Sequence, residues 1–293
     1  MINMPTSSSL SQWPRRPARW RRWAAHPALH RVLGHIAPEA SGRLAQHLVL
    51  WPDTTAPATW ELPALQMAQP VTFRFGQRAL RWGDSGPVVL AMHGWEGRPS
   101  QFAALLPALL AAGRQVIAPY GPEHQPGHRG FAHVLVFRQF LLEAAAELRG
   151  VESVIGHSMG GAAALLALRD GLSAERVLTL AAPSALAHSL LRSARGLSLT
   201  PRAHRRFRRL VDERVGLPAR QIDVAPQVAG LPVPAMLVHD HDDGVVPVSE
   251  ARRLRAALPN ARLLLTRGLR HGRVLTDPNV LVPAVDFLLG RGY

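Results

Sequence analysis

The chain is expected to fold as an α/β protein on one open, mostly parallel sheet flanked by helices. Three observations predict this. Six short runs, 88–92, 115–119, 151–156, 177–181, 235–239 and 262–266, are mostly near-continuously apolar, as strands buried on both faces should be. Helix patterns alternate with them at 101–112, 131–148, 159–170, 249–257 and 280–289. Ahead of them, "VTFRFGQRALRW" (71–82) sets two roughly alternating stretches around Gly76-Gln77, which suits a two-residue hairpin turn with glycine first.

Taken in order, residues 1–69 form a Pro-punctuated, Arg/Trp-rich leader. It is expected to hold one or two short helices, for instance around 28–50, and to carry no chemistry. Residues 70–293 form the main domain. Its first helix, 101–112, has Ser100 as a candidate N-cap and Gly113 as its stop. Between the strands ending near Ala181 and starting near Ala235 lie about 50 residues, far more than the usual connection. This insertion, 184–232, contains helix-like pieces and reads as a small lid over one end of the sheet.

Composition bounds the function. No apolar run approaches the roughly 20 residues of a membrane helix, and Trp20, Arg21, Arg22 and Trp23 interrupt the place where a signal peptide would need its apolar region. A cytoplasmic protein is expected. Without cysteine, disulfides, thiolate chemistry and cysteine-held metal are excluded. The formal net charge of +14 comes from 34 basic residues, all arginine. It concentrates in "RRPARWRRW" (15–23) and "RAHRRFRRL" (202–210). Such runs are usually solvated faces, but the interleaved tryptophans of 15–23 leave room for weak contact with an anionic membrane. Nucleic acid is not expected, because no recognition module or phosphate-cradling loop accompanies the charge.

The chemistry is concentrated in "VESVIGHSMGGAAALLALRDG" (151–171). Gly156-His157-Ser158-Met159-Gly160 fits Gly-x-Ser-x-Gly, between a strand and a helix as that pattern requires. A turn this tight strains the serine, and glycines two before and two after remove Cβ atoms that would collide. Ser158 would project at the carboxyl end of the sheet, beside a helix N-terminus whose N–H groups favour a developing oxyanion. A serine needs a base and a group to orient that base. His271 is the only histidine after His241 and falls beyond the last strand, which makes it the candidate base. The acid should lie in "AMLVHDHDDGVVPV", where Asp243 is preferred and Asp240 held in reserve. The other acids there are expected to be solvated. After the first parallel strand, His93-Gly94 brings the backbone N–H of Trp95 forward as an oxyanion donor, paired with that of Met159.

His93-Gly94-Trp95, the Gly156–Gly160 elbow, Asp243-Gly-Val-Val-Pro and His271, in this order, resemble the α/β-hydrolase superfamily from about residue 71 onward. The "HGWEGRPSQF" run is similar to bacterial esterase-like hydrolases. The resemblance implies a triad of Ser158, Asp243 and His271, acting on a small-molecule ester or thioester with no cofactor and no metal. It also implies the hydrolase sheet with an N-terminal hairpin and a helical lid. The proline-rich "APYGPEHQPGHRG" departs from the loop that many relatives carry after the second parallel strand. Two other readings remain: acyl transfer on the same scaffold, and a non-catalytic membrane-associated binding protein. A metal site at His239-x-His241-x-Asp243 would want a further histidine at 244, where Gly244 stands.

Overall fold

The computed structural model describes residues 19–125, 127, 128 and 130–291, so residues 15–18 of the first arginine run lie outside the described residues. The N-terminal part supplies α1 (Arg19–Ala24), α2 (Pro27–Ile36), α3 (Pro38–Leu50) and α4 (Leu62–Met67). Pro38 opens α3 and divides it from α2, because proline fits the first helical turn and pushes Ala37 out of helical conformation.

An eight-stranded sheet follows: β1 (Gln69–Thr72), β2 (Arg78–Trp82), β3 (Val88–Met92), β4 (Gln115–Pro119), β5 (Ser153–His157), β6 (Arg176–Leu180), β7 (Ala235–Asp240) and β8 (Ala261–Thr266). Its spatial order is β1-β2-β4-β3-β5-β6-β7-β8. β1 and β2 run antiparallel, and β3 to β8 are parallel to one another. Between the strands lie α5 (Leu106–Ala111), α6 (Val134–Glu147), α7 (Met159–Arg169), α11 (Val248–Ala257), α12 (Arg270–Arg273) and the closing α13 (Pro278–Leu288). The insertion after β6 holds α8 (Leu186–Gly196), α9 (Pro201–Val215) and α10 (Val224–Gln227).

Strand alternation divides the buried residues into two cores. Leu90, Met92, Val154 and Leu237 face α6 and α7, while Val89, Ala91, Ile155 and Val238 face α5 and α13. Both faces are covered, so the parallel strands read as continuous apolar runs.

Two local expectations need correction. The hairpin closes through Arg74, Phe75 and Gly76, with the Phe73 N–H donating to Gln77 O and Gly76 at φ 80°. This is the three-residue loop with a left-handed glycine at its end, not a two-residue turn. The helix expected over 101–112 is instead a 3-10 turn, Pro99–Phe102, followed by α5. Pro107 has no N–H to bond back to Ala103, so a continuous helix cannot run through it. Ser100 is therefore no cap, and its hydroxyl donates to the buried Glu61 carboxylate.

α2 and α3 dock on α9. A Cβ on Gly42 would lie 2.9 Å from Arg206 Cβ, so glycine lets the two helices approach closely. Thr200 Oγ1 donates to Gly34 O at 2.9 Å, and Gln46 Nε2 to Leu210 O at 2.7 Å. On α9, Ala203, Phe207 and Val211 are buried, while Arg206 pairs with Glu39 at 2.6 Å. The second arginine run is thus largely the outer face of an amphipathic helix. No helix among the described residues is long and apolar enough to cross a membrane.

The tightest packing lies where α7 starts. A Cβ on Gly160 would sit 2.1 Å from Met92 O and 2.4 Å from His93 O, both backbone atoms of β3 and its exit. Gly160→Ala is expected to cost about 3 kcal/mol and lower the thermal midpoint by several degrees. Gly196→Ala, whose Cβ would meet nothing within 4 Å, should be neutral or slightly stabilising. Equal midpoints for the two variants would contradict this account.

Candidate active site

β5 ends at His157 and α7 begins at Met159, which leaves Ser158 alone to turn the chain, at φ 52° and ψ −122°. A non-glycine residue there is strained by roughly 1–3 kcal/mol and persists only where its surroundings over-determine it. The glycines show how they do so. A Cβ on Gly156 would lie 2.4 Å from Gly161 Cα, and one on Gly94 2.7 Å from Ser158 Cβ. The Ser158 N–H donates to Leu180 O at 2.8 Å, which ties the turn to β6.

Ser158 Oγ lies 3.0 Å from His271 Nε2, and His271 Nδ1 lies 2.7 Å from Asp243 Oδ2. Three residues far apart in sequence thus meet in one hydrogen-bonded line. Asp243, not Asp240, faces His271. Its Oδ1 accepts the N–H groups of Val245 and Val246, each at 2.8 Å. Burial pushes its carboxyl up, but His271 and the Val246 and Val245 N–H groups outweigh this and hold it below its ordinary value.

Asp240 is not a solvated loop acid; it is fully buried. Its Oδ2 accepts from Thr266 Oγ1 at 2.7 Å and from the Leu269 N–H at 3.0 Å. Asp242 Oδ2 accepts from the Gly268 N–H at 2.8 Å. Both acids therefore hold the loop that delivers His271. His157 Nε2 donates to His271 O at 3.1 Å. Burial, with repulsion from His271 adding to it, depresses the His157 imidazole to about 3, so it stays neutral.

On the opposite side, His93 Nδ1 donates to Gly94 O at 2.8 Å while its Nε2 accepts the Gly121 N–H at 2.8 Å. His124 accepts the Glu96 N–H through Nε2 at 3.0 Å and stands edge-on to Trp95, with ring centroids 5.5 Å apart. Burial lowers His124 to about 4. Glu96, next to Trp95, takes φ 56°. Among the described residues, neither the Trp95 N–H nor the Met159 N–H has a hydrogen-bond acceptor within the chain.

A cavity of about 610 Å³ opens beside Ser158. The loop after β3 lines it with Trp95, α7 with Met159, α8 with Leu186 and Leu190, and α3 with Leu48 and Val49. The N-terminal region, in which the sequence reveals no chemistry, therefore forms one of its walls. Arg21 belongs to that wall and donates to Trp51 O at 2.8 Å and Leu48 O at 3.1 Å.

An eight-stranded, mostly parallel sheet with a strand–serine–helix elbow at its carboxyl edge decides the architecture. This is the α/β-hydrolase fold. Solved structures agree at low sequence identity. An α/β hydrolase from a lagoon-sediment metagenome matches with a TM-score of 0.55 and 19% identity, over 76% of this chain and 96% of its own. The meta-cleavage product hydrolase of Pseudomonas fluorescens matches at 0.55 and 18%, over 77% and 99%. The mouse α/β hydrolase domain-containing protein 10 matches at 0.58 and 14%, over 76% and 97%. In sequence, the chain is 39% identical over 56 residues to RutD of Pseudomonas savastanoi pv. phaseolicola, a proposed carbamate hydrolase; that match spans 19% of this chain and 22% of RutD. No family model matches the chain. The α/β-hydrolase fold accounts for three quarters of this chain and nearly all of its structural neighbours.

A second network, centred on the buried Glu250, braces the insertion. Glu250 Oε2 accepts from the N–H of Ser184 at 2.8 Å and from its hydroxyl, and Oε1 lies 2.9 Å from His188 Nδ1. Burial pushes the Glu250 carboxyl up, but Ser184 and His188 outweigh it and hold it below its ordinary 4.5. A depressed carboxyl contributes stability that is present above 4.5 and lost as pH falls through its folded value. The unfolding free energy of wild type should exceed that of Glu250→Gln by about 1–3 kcal/mol near pH 7, and the gap should shrink below pH 4.5. Chemical denaturation from pH 3 to 7 checks this, and a gap independent of pH would refute it.

Proposed function

We propose that the protein is a serine hydrolase that cleaves a carboxylic ester or thioester through an acyl-enzyme on Ser158. The observation that carries this reading is the position of His271, within hydrogen-bond reach of both Ser158 Oγ and Asp243 Oδ2. A serine hydroxyl paired with an imidazole whose far nitrogen faces a buried carboxylate is an activated nucleophile.

In this reading, Ser158 Oγ attacks the substrate carbonyl carbon as His271 Nε2 takes its proton. Asp243 keeps the remaining imidazole proton on Nδ1 and stabilises the imidazolium. Negative charge grows on the former carbonyl oxygen, where the N–H groups of Trp95 and Met159 receive it. The free donors described above and the start of α7 support that assignment. The tetrahedral intermediate collapses, and His271 returns its proton to the departing alcohol or thiol. Water then gives up a proton to His271 and attacks the acyl carbon; the bond to Ser158 Oγ breaks, His271 returns that proton to Oγ, and the acid leaves. No step calls on a metal or a cofactor. A small-molecule ester or thioester and a cytoplasmic setting fit this reading.

The test is labelling with a fluorescent fluorophosphonate, which reacts with an activated serine and demands little of the substrate. Wild type should be labelled, while Ser158→Ala and His271→Ala should not. A folded wild type that stays unlabelled overturns the proposal. The two acids separate by rate: Asp243→Asn should lower ester turnover roughly 10⁴-fold, as loss of a triad acid does. Asp240→Asn, which disturbs only the loop carrying His271, should cost far less. The reverse ranking in initial rates would reassign the acid.

A further inference from the structure

We propose that α1 and α3 form the chain-length wall of an acyl-binding cavity, which takes a straight apolar acyl group of medium length, and that Arg21 is a positioning residue latching this wall to the loop that bears the Trp95 N–H. The proposal rests on the serine hydrolase reading of Ser158 for its chemistry, but the wall itself is a matter of geometry.

Arg21 has a nearly buried side chain, 11% exposed, and its guanidinium has partners on both sides. On one side it donates to the carbonyls of Leu48, in the last turn of α3, and of Trp51, which caps it, where a cation complements the helix terminus. On the other it reaches Glu96 Oε1 at 3.3 Å and Asp53 Oδ2 at 3.5 Å. Glu96 Oε1 also accepts the Asp53 N–H at 3.1 Å. Burial raises the Glu96 carboxyl above its ordinary value, although the Asp53 N–H and Arg21 oppose this. Without Arg21, Glu96 would keep a half-buried charge with no cation paired to it among the described residues, at a residue already in the left-handed region. The N–H of Trp95, one residue earlier, would then lose its fixed direction.

A second clasp makes the same connection. Arg98 NH1 meets Glu61 at 2.7 Å, and Arg98 NH2 donates to Thr55 O at 3.0 Å. The segment before the sheet is therefore clamped twice to the loop after β3.

The surface presented to the cavity by α3 is apolar, from Leu48 and Val49, and α8 adds Leu186 and Leu190 to the same lining. Arg21 spends its donors on the protein rather than on a ligand. A largely apolar cavity with Ser158 on its lining suits a hydrocarbon, and in this proposal the chain runs from Ser158 toward α3 and α8. At about 610 Å³ it lies in the middle of the range of ligand cavities, roughly 300–1,000 Å³.

The experiment compares wild type, Val49→Trp, Arg21→Gln and Arg21→Lys on p-nitrophenyl esters of two to twelve carbons, with octanoate binding measured by calorimetry. Wild type should prefer acyl chains of about four to ten carbons. In Val49→Trp, kcat/KM for the eight-carbon ester should fall at least about tenfold and the acetate value change less than about threefold, because the new ring shortens the slot. Arg21→Gln should lower kcat about tenfold at every length with KM little altered, the signature of a misplaced donor, and Arg21→Lys should recover part of the loss. An unchanged length profile in Val49→Trp, or a loss in Arg21→Gln confined to KM, overturns the proposal. Val49→Phe serves if the tryptophan variant does not fold. Fluorophosphonate labelling reads Ser158 separately. If wild type is not labelled, the hydrolase reading fails while octanoate still judges the wall: binding at least about tenfold weaker in Val49→Trp supports it. Undetectable binding in wild type, or equal affinity in the two proteins, overturns it.

Discussion

The site depends on one steric constraint: α7 must begin in direct contact with the backbone of β3 and β5. Only glycine at 156 and 160 permits this, because a Cβ at either place would fall 2.1–2.5 Å from backbone atoms. That contact compresses the change from strand to helix into one residue and forces Ser158 to φ 52°. The strain is offset by the packing of α7, whose residues from Gly160 to Leu168 are all buried. The same closeness brings Gly94 onto Ser158, so the loop carrying Trp95 starts in contact with the serine.

Around this contact, buried polar groups act as struts. His93 and His124 each donate through one ring nitrogen and accept through the other, which suits a neutral imidazole in an apolar setting. Burial keeps both below their ordinary value, with repulsion from His124 adding to the effect on His93. They join the loops at 94–96 and 121–124. Asp240 does equivalent work for the loop of His271, where Arg270 also takes a positive φ of 59°. The groups that could react are thus held by groups that do not ionise near neutrality, or that are already charged and fully hydrogen-bonded.

Much of this was legible in the chain. The strand cores are legible to within a residue or two, because strands buried on both faces leave continuous apolar runs. The elbow, Asp243 and His271 followed from chain order, since a crossover topology brings loops at the ends of successive parallel strands to one edge. What escaped was non-local. Asp240 looks like its solvated neighbours in sequence, and its burial depends on Thr266 and Leu269, 26 and 29 residues away. Ser100 reads locally as a cap, yet Glu61, 39 residues upstream, takes its hydroxyl. The docking of α3 on α9 joins Gln46 to Leu210 across 164 residues, with no local signal beyond two glycines in helices.

That docking makes the extension and the insertion one mechanical unit. Gly34 and Gly42 are shaped to Thr200, Arg206 and Phe207 of this particular α9. A chimera that borrowed the insertion of another protein of this fold while keeping residues 19–68 would set these glycines against a foreign helix and open the cavity wall. The two segments would have to be exchanged, or to diverge, together. In this protein the lid is not a flap added to a finished fold; it is half of a clasp whose other half lies before the first strand.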